Sequence, residues 1–212
     1  MDLPLDRRPI IIALAGPNGA GKSTFFHAHL KPAGLRFVNA DIIARELNLD
    51  AHSVARIANV TPREPVSPYA AARVADAIRR ELVRQRISFV FETVFSDPVG
   101  DKLAFLKEAA LAGYTIVLCF IGVSDPTVCD ERVAMRVSQG GHDVPTEKLV
   151  SRFPRIMSNL KAAIRDLPNV FVFDNDDLRT PFRLLVVFHN GEPLELHKPL
   201  PNWFRAVWDK RT

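Results

Sequence analysis

The chain has 212 residues, 47% of them hydrophobic and 25% charged, an ordinary globular mix that can bury a full core. Its 28 Lys and Arg exceed its 24 Asp and Glu by only four, a surplus that suits the handling of small anions and carries no mark of a nucleic-acid scaffold. Two cysteines, Cys119 and Cys129, are too few for a disulfide framework. No stretch approaches the ~18 apolar residues of a membrane helix. The only apolar run near the start, Ile10 to Ala15, falls short of a signal-peptide core. A soluble, cytoplasmic protein is expected.

Ile10 to Leu14 is a continuous β-branched and aliphatic run, as in a strand buried on both faces of a parallel sheet. A glycine-rich segment follows at once. Ser23 to Leu30 reads as a helix stopped by Pro32 and Gly34, and Leu35 to Val38 as a short strand ending at Asn39-Ala40-Asp41. Ser67-Pro68 signals a helix start, after which Ala71, Val74, Ala75, Ile78 and Leu82 repeat at helical spacing. Arg73, Arg79, Arg80, Arg84 and Arg86 read mostly as a solvated basic face. Ser88 to Phe91 is a third strand closing on Glu92-Thr93. Helix Lys102 to Ala112 leads to a fourth strand, Thr115 to Ile121, where Cys119 reads as a buried reduced thiol. Helices at about Pro126 to Val137 and Pro145 to Leu167 flank Gly140-Gly141-His142, and Val170 to Phe173 is a fifth strand. Leu184 to Phe188, Asn190-Gly191 and Leu194 to Leu196 form an antiparallel hairpin, with Asn-Gly supplying the positive φ angles.

Gly16-Pro17-Asn18-Gly19-Ala20-Gly21-Lys22-Ser23 satisfies G-x-x-x-x-G-K-[ST] at every position, between a buried strand and a helix. Glycines let the backbone curl until consecutive N–H groups face one point, and the next helix adds the positive end of its dipole. The motif implies ATP held by residues 16–24, with Lys22 reaching the β- and γ-phosphates and Ser23 binding Mg²⁺. With the alternating strands and helices it predicts an α/β P-loop NTPase, a kinase-like three-layer sandwich on a mostly parallel five-stranded sheet, with a C-terminal β-hairpin. Residues 1–182 would form the core, with a lid-like helical region about 124–167, and residues 183–212 the hairpin and tail packed on it.

A switch, a mechanical ATPase and a kinase remain to be separated. The chain has no N-K-x-D motif, and Asp97-x-x-Gly100 reads equally well as a turn. Val137-Ser138-Gln139-Gly140-Gly141 echoes a transporter signature in the wrong order, and no Asp-Glu pair ends a strand. Ligands of an open parallel sheet bind outside the carboxyl ends of its strands, where Asp41 and Glu92 stand. Asp41 is placed there either as a general base for an acceptor hydroxyl or as a helix N-cap. Glu92 would bind a second hydroxyl or the metal's water shell. Arg132 and Arg136, four apart on one helix, are either a charge-stabilising pair on a hinged flap or a surface pair beside Asp130 and Glu131. Arg152, Arg155 and His142 are weaker candidates. Asp174-Asn175-Asp176-Asp177 is a turn by composition that could line the adenine edge.

Taken together these residues resemble the zeta toxin family of P-loop kinases, over about residues 10 to 190. The resemblance rests on G-P-N-G-A-G-K-S-T at 16–24, V-N-A-D at 38–41, F-E-T at 91–93, R-V-A-M-R-V-S-Q-G-G-H-D-V-P at 132–145 and F-D-N at 173–175. It implies phosphorylation of a hydroxyl on a small molecule, UDP-N-acetylglucosamine in the best-understood members. Lys22 and Ser23 would serve ATP-Mg²⁺, Asp41 would be the base, Glu92 with Thr93 would bind the acceptor, and Arg132 and Arg136 would stabilise charge. A protein antitoxin is an implied partner; no membrane is implied, and nucleic acid is not expected to bind. Against the family, Phe95-Ser96-Asp97 does not match the toxins' sugar-binding stretch. Two other readings stay open: a nucleotide-binding ATPase or regulator without an acceptor, and a kinase acting on nucleic-acid ends.

Overall fold

The structure is a computed structural model that describes residues 6–39, 68–128 and 145–208. Among them, seven strands form one sheet in the order β2-β3-β1-β4-β5-β6-β7. These are β1 (Ile10–Ala15), β2 (Arg36–Val38), β3 (Phe89–Thr93), β4 (Thr115–Gly122), β5 (Asn169–Asp174), β6 (Arg183–His189) and β7 (Glu192–Leu196). The first five are mutually parallel, and β6 and β7 run antiparallel. The expected hairpin is therefore not an addition to a five-stranded sheet. Its first strand pairs along β5, and Leu185, Val186, Val187 and Phe188 are buried in it. Four consecutive buried residues mean that both faces of β6 are covered. At the hairpin turn, Asn190 and Gly191 have φ of 51° and 83°, the left-handed pair that the Asn-Gly dipeptide predicts. The outer strand β7 carries Glu192, Pro193 and Glu195, residues that discourage further pairing at an open edge.

Side-chain alternation divides the interior into two layers. On β1, Ile11, Ala13 and Ala15 enter one cluster, while Ile10 and Leu14 enter the other. On β4 the split is Ile116, Leu118 and Phe120 against Val117, Cys119 and Ile121. The first layer is closed by α2 (Pro68–Arg84), α3 (Asp101–Leu111), most of α4 (Thr146–Asp166) and α5 (Asn202–Val207). The second is closed by α1 (Lys22–Phe25), which runs on through a π-helical turn, Phe26–Leu30, to a 3₁₀ turn ending at Gly34. Phe26 stacks on Phe37 of β2 with ring centroids 3.8 Å apart, tying that short edge strand to the helix. On α4, Leu149 and Phe153 pack into the second layer and Ile156, Leu160, Ala163 and Ile164 into the first, with Pro154 between.

One arginine departs from the solvated face expected of α2. Arg79 is only 3% exposed; its guanidinium lies 5.0 Å from the centre of the Phe91 ring and bonds Asp76 at 2.7 Å. Burial pushes the Asp76 carboxyl up, but Arg79, Lys102 and Arg80 together hold it below its ordinary value. The long aliphatic stem of Arg79 explains how a charged residue fits a helix face that packs on aromatic rings.

At the carboxyl end of β4, Gly122 lies against the Trp203 ring of α5, and a Cβ there would fall on the ring atoms. Trp203 Nε1 donates to Asp174 Oδ1 at 3.0 Å, and Arg183 Nη2 donates to Asp174 Oδ2 at 3.0 Å. The final helix is thereby fastened to the ends of β4, β5 and β6. Gly122→Ala is expected to lower stability by about 1–3 kcal/mol through overpacking. Thermal unfolding followed by tryptophan fluorescence measures it; an unchanged Tm would contradict the close packing.

Candidate active site

Strand β1 lies between β3 and β4, and the chain returns to opposite sides of it, so its carboxyl end opens at a topological switch point. Gly16 (φ 143°), Gly19 (φ 78°) and Gly21 (φ 93°) form the loop that follows. Gly16 has a second constraint: a Cβ there would fall on the Ile121 carbonyl of β4. Gly21 is the N-cap of α1, with no side chain capping the first turn, which leaves the helix's leading N–H groups for an incoming anion.

Lys22 is buried, 5% exposed, and arches back over the loop. Its Nζ donates to the carbonyls of Gly16 at 2.9 Å and Pro17 at 2.8 Å, and lies 3.7 Å from Glu92 Oε1. The parallel register sets Leu14 beside Glu92 and Ala15 beside Thr93, which brings the Glu92 carboxylate to the phosphate loop. Glu92 Oε2 accepts from the exposed Ser23 hydroxyl at 3.0 Å and from Asn39 Nδ2 at 2.9 Å. Residues from three places in the sequence, 22–23, 39 and 92, thus share one polar cluster at the rim. In the sequence Asn39 figures only within V-N-A-D at 38–41, just past a short strand; its burial and its bond to Glu92 come from the fold.

Thr93 Oγ1 accepts from the Phe95 amide at 3.0 Å, starting a turn in which Phe95 takes φ 63° and is buried. Asn159 of α4 clamps this turn from behind, donating to the carbonyls of Phe95 at 2.9 Å and Asp97 at 3.0 Å. Both carboxylate oxygens of Asp97, and Oδ1 of Asn18 in the phosphate loop, are shielded from solvent without a hydrogen-bond partner among the described residues. The turn after β5 also reaches the loop, through buried Asn175, whose Nδ2 donates to the Ala20 carbonyl at 2.9 Å. The sequence offers that segment as a turn that could line the adenine edge; the structure joins its Asn175 to the phosphate loop. Asp41, Arg132, Arg136, His142 and Cys129 lie outside the described residues. Arg152 and Arg155 stand on α4; Thr24 is exposed on α1.

This loop, its strand order and its two-layered core define a P-loop protein of the kinase-like α/β type. The zeta toxin family model matches residues 2–182, and the chain belongs to that family. The fold resembles a chain in the crystal structure of the AvrRxo1-ORF1:-ORF2 complex with ATP, at TM-score 0.63 and 20% identity, over 88% of this chain and 60% of that one. The same complex with sulphate ions matches at 0.62 and 19%, again over 88% and 60%. A structure from the PezAT chromosomal toxin-antitoxin system of Streptococcus pneumoniae matches at 0.56 and 16% identity, over 79% of this chain and 69% of that one. The chain thus spans about three-fifths of the AvrRxo1 chains it resembles. Among curated proteins, none matches.

Cys119, though adjacent to the β1 strand that carries the loop, has no part in this chemistry. Burial pushes its thiol up to about 12, so it stays protonated near neutral pH and is a poor nucleophile. Alkylation at pH 8, mapped by mass spectrometry, is expected to leave Cys119 unmodified in the folded chain and to modify it in denaturant. Rapid modification of folded protein would contradict its placement.

Proposed function

We propose that this chain is an ATP-dependent kinase that transfers the γ-phosphoryl group to a hydroxyl of a small molecule, with a sugar nucleotide such as UDP-N-acetylglucosamine as the acceptor class. The observation that carries the reading is the junction of Lys22, Ser23 and Glu92, where a buried cation, a hydroxyl and a carboxylate from the neighbouring strand meet at the mouth of the phosphate loop. The carboxylate adds a group able to order a metal's water shell or an acceptor hydroxyl.

In this reading residues 16–24 cradle the triphosphate, and Lys22 exchanges its bonds to the Gly16 and Pro17 carbonyls for the β- and γ-phosphate oxygens. The donor set fits Mg²⁺: the Ser23 hydroxyl, the Glu92 carboxylate 3.0 Å from it and the nucleotide's phosphates are all oxygen ligands. Among the described residues no group of three or more His, Cys, Asp or Glu could hold a metal by itself, and magnesium beside phosphates keeps waters instead of requiring such a cage. Bound there, the ion would neutralise charge on the β- and γ-oxygens. Asp41 takes the proton of the acceptor hydroxyl, Thr93 with Glu92 positions the acceptor, and Arg132 and Arg136 stabilise the transferring group. Among the described residues no helix is long and apolar enough to cross a membrane, and we place the reaction in the cytoplasm. A protein antitoxin that covers the nucleotide site is the partner this reading implies.

Radiolabelled ATP offered with UDP-N-acetylglucosamine tests the proposal. Asp41→Asn is expected to retain ATP binding while transfer falls about 10²-fold or more, the usual scale for a general base. Glu92→Gln, which keeps the size of the side chain, is expected to raise the magnesium concentration needed for half-maximal transfer and to lower Tm, because buried Lys22 loses its opposing charge. Label released only as inorganic phosphate, whatever acceptor is present, would replace the kinase reading with an ATPase. Transfer to oligonucleotide ends would replace the acceptor class.

A further inference from the structure

We infer that Asn175 is a positioning residue for nucleotide binding, setting the plane of the Ala20–Gly21 peptide in the phosphate loop; the inference rests on the reading of that loop as an ATP site. Asn175 is 3% exposed, and both ends of its side-chain amide and its backbone N–H are bonded. Nδ2 donates to the Ala20 carbonyl at 2.9 Å, Oδ1 accepts from the Phe182 amide at 3.2 Å, and its own amide donates to the Gly122 carbonyl at 2.9 Å. The amide's orientation follows from these partners, since a flip would oppose two carbonyl oxygens and two N–H groups.

A trans peptide is planar, with its C=O and N–H pointing opposite ways. Holding the Ala20 carbonyl toward Asn175 therefore turns the Gly21 N–H to the other side, into the loop's interior. The contact is close: a Cβ on Gly21 would stand 2.7 Å from Asn175 Nδ2, so this glycine also makes room for the amide. Asn175 is in turn held from behind. Its neighbour Asp174 receives Trp203 Nε1 and Arg183, and Trp203 covers Gly122, whose carbonyl anchors the Asn175 backbone. Arg183 and Trp203, residues beyond the stretch matched by the family model, so brace the nucleotide site.

The test compares wild type with Asn175→Ala and Asn175→Asp. The aspartate keeps size and the acceptor for the Phe182 amide, but it sets a carboxylate oxygen against the Ala20 carbonyl. ATP-Mg²⁺ titrated calorimetrically is expected to bind about tenfold more weakly to both variants, with the aspartate no better than the alanine. Hydrogen exchange of the 16–24 amides, measured without nucleotide, is expected to accelerate in both while exchange in β6 and α3 is unchanged. Wild-type loop exchange in both variants would overturn the inference whether or not ATP binds, and so would lowered Tm with wild-type ATP affinity. Failure of the wild-type chain itself to bind ATP would instead count against the ATP reading.

Discussion

The structure turns on a directional constraint within one loop. A phosphate cradle needs several consecutive peptide N–H groups aimed at one point, and each peptide plane that offers its N–H inward sends a carbonyl elsewhere. Those carbonyls must find donors, because a buried unpaired carbonyl costs about as much as a lost hydrogen bond. Lys22 supplies one donor group, bonding the Gly16 and Pro17 carbonyls, and Asn175 supplies another for Ala20. The cradle is thus held by its own lysine on one side and by the turn after β5 on the other. Burying a lysine among carbonyls is tolerable because the opposing charge of Glu92 stands 3.7 Å away.

That arrangement explains why the sheet order matters. With β1 between β3 and β4, the loop leaves a central strand, so Glu92 of β3 and the Ile121 carbonyl of β4 approach it from either side. The fifth strand brings Asn175 in across β4, and α5 with Arg183 holds that corner in place. The hairpin is part of the same construction. By covering β5 with β6 it buries a strand end that would otherwise be an open sheet edge, and it places Arg183 beside Asp174.

Much of the architecture was legible residue by residue. The apolar runs starting at Ile10, Ser88, Thr115 and Val170 became parallel strands, because strands buried on both faces need nearly unbroken apolar sequence. The Asn190-Gly191 turn behaved as its dipeptide predicts. The phosphate loop, with Lys22 and Ser23, was legible because backbone geometry alone demands those glycines. Arg79 was not. Its position on the polar side of a helical wheel predicted solvent, whereas Phe91 and Phe105 of other elements form the surface under it. The phosphate-loop partners of Asn39 and Asn175 were not legible either, although the turn holding Asn175 was offered as an adenine edge. Asparagine beside a strand end is ordinary turn chemistry until its partner is known.

What the sequence by itself determined is the local chemistry: a strand, a loop with left-handed glycines, a lysine and a serine, and a helix to follow. Periodicity and backbone preference act over a few residues, so they are written in short stretches of chain. The tertiary structure alone decided which distant groups complete that loop. Glu92 meets Ser23 through the β1–β3 register, Asn175 reaches Ala20 across 155 residues of sequence, and Trp203 closes on Gly122. Such contacts depend on strand order and side-chain direction in three dimensions, and no local pattern encodes either.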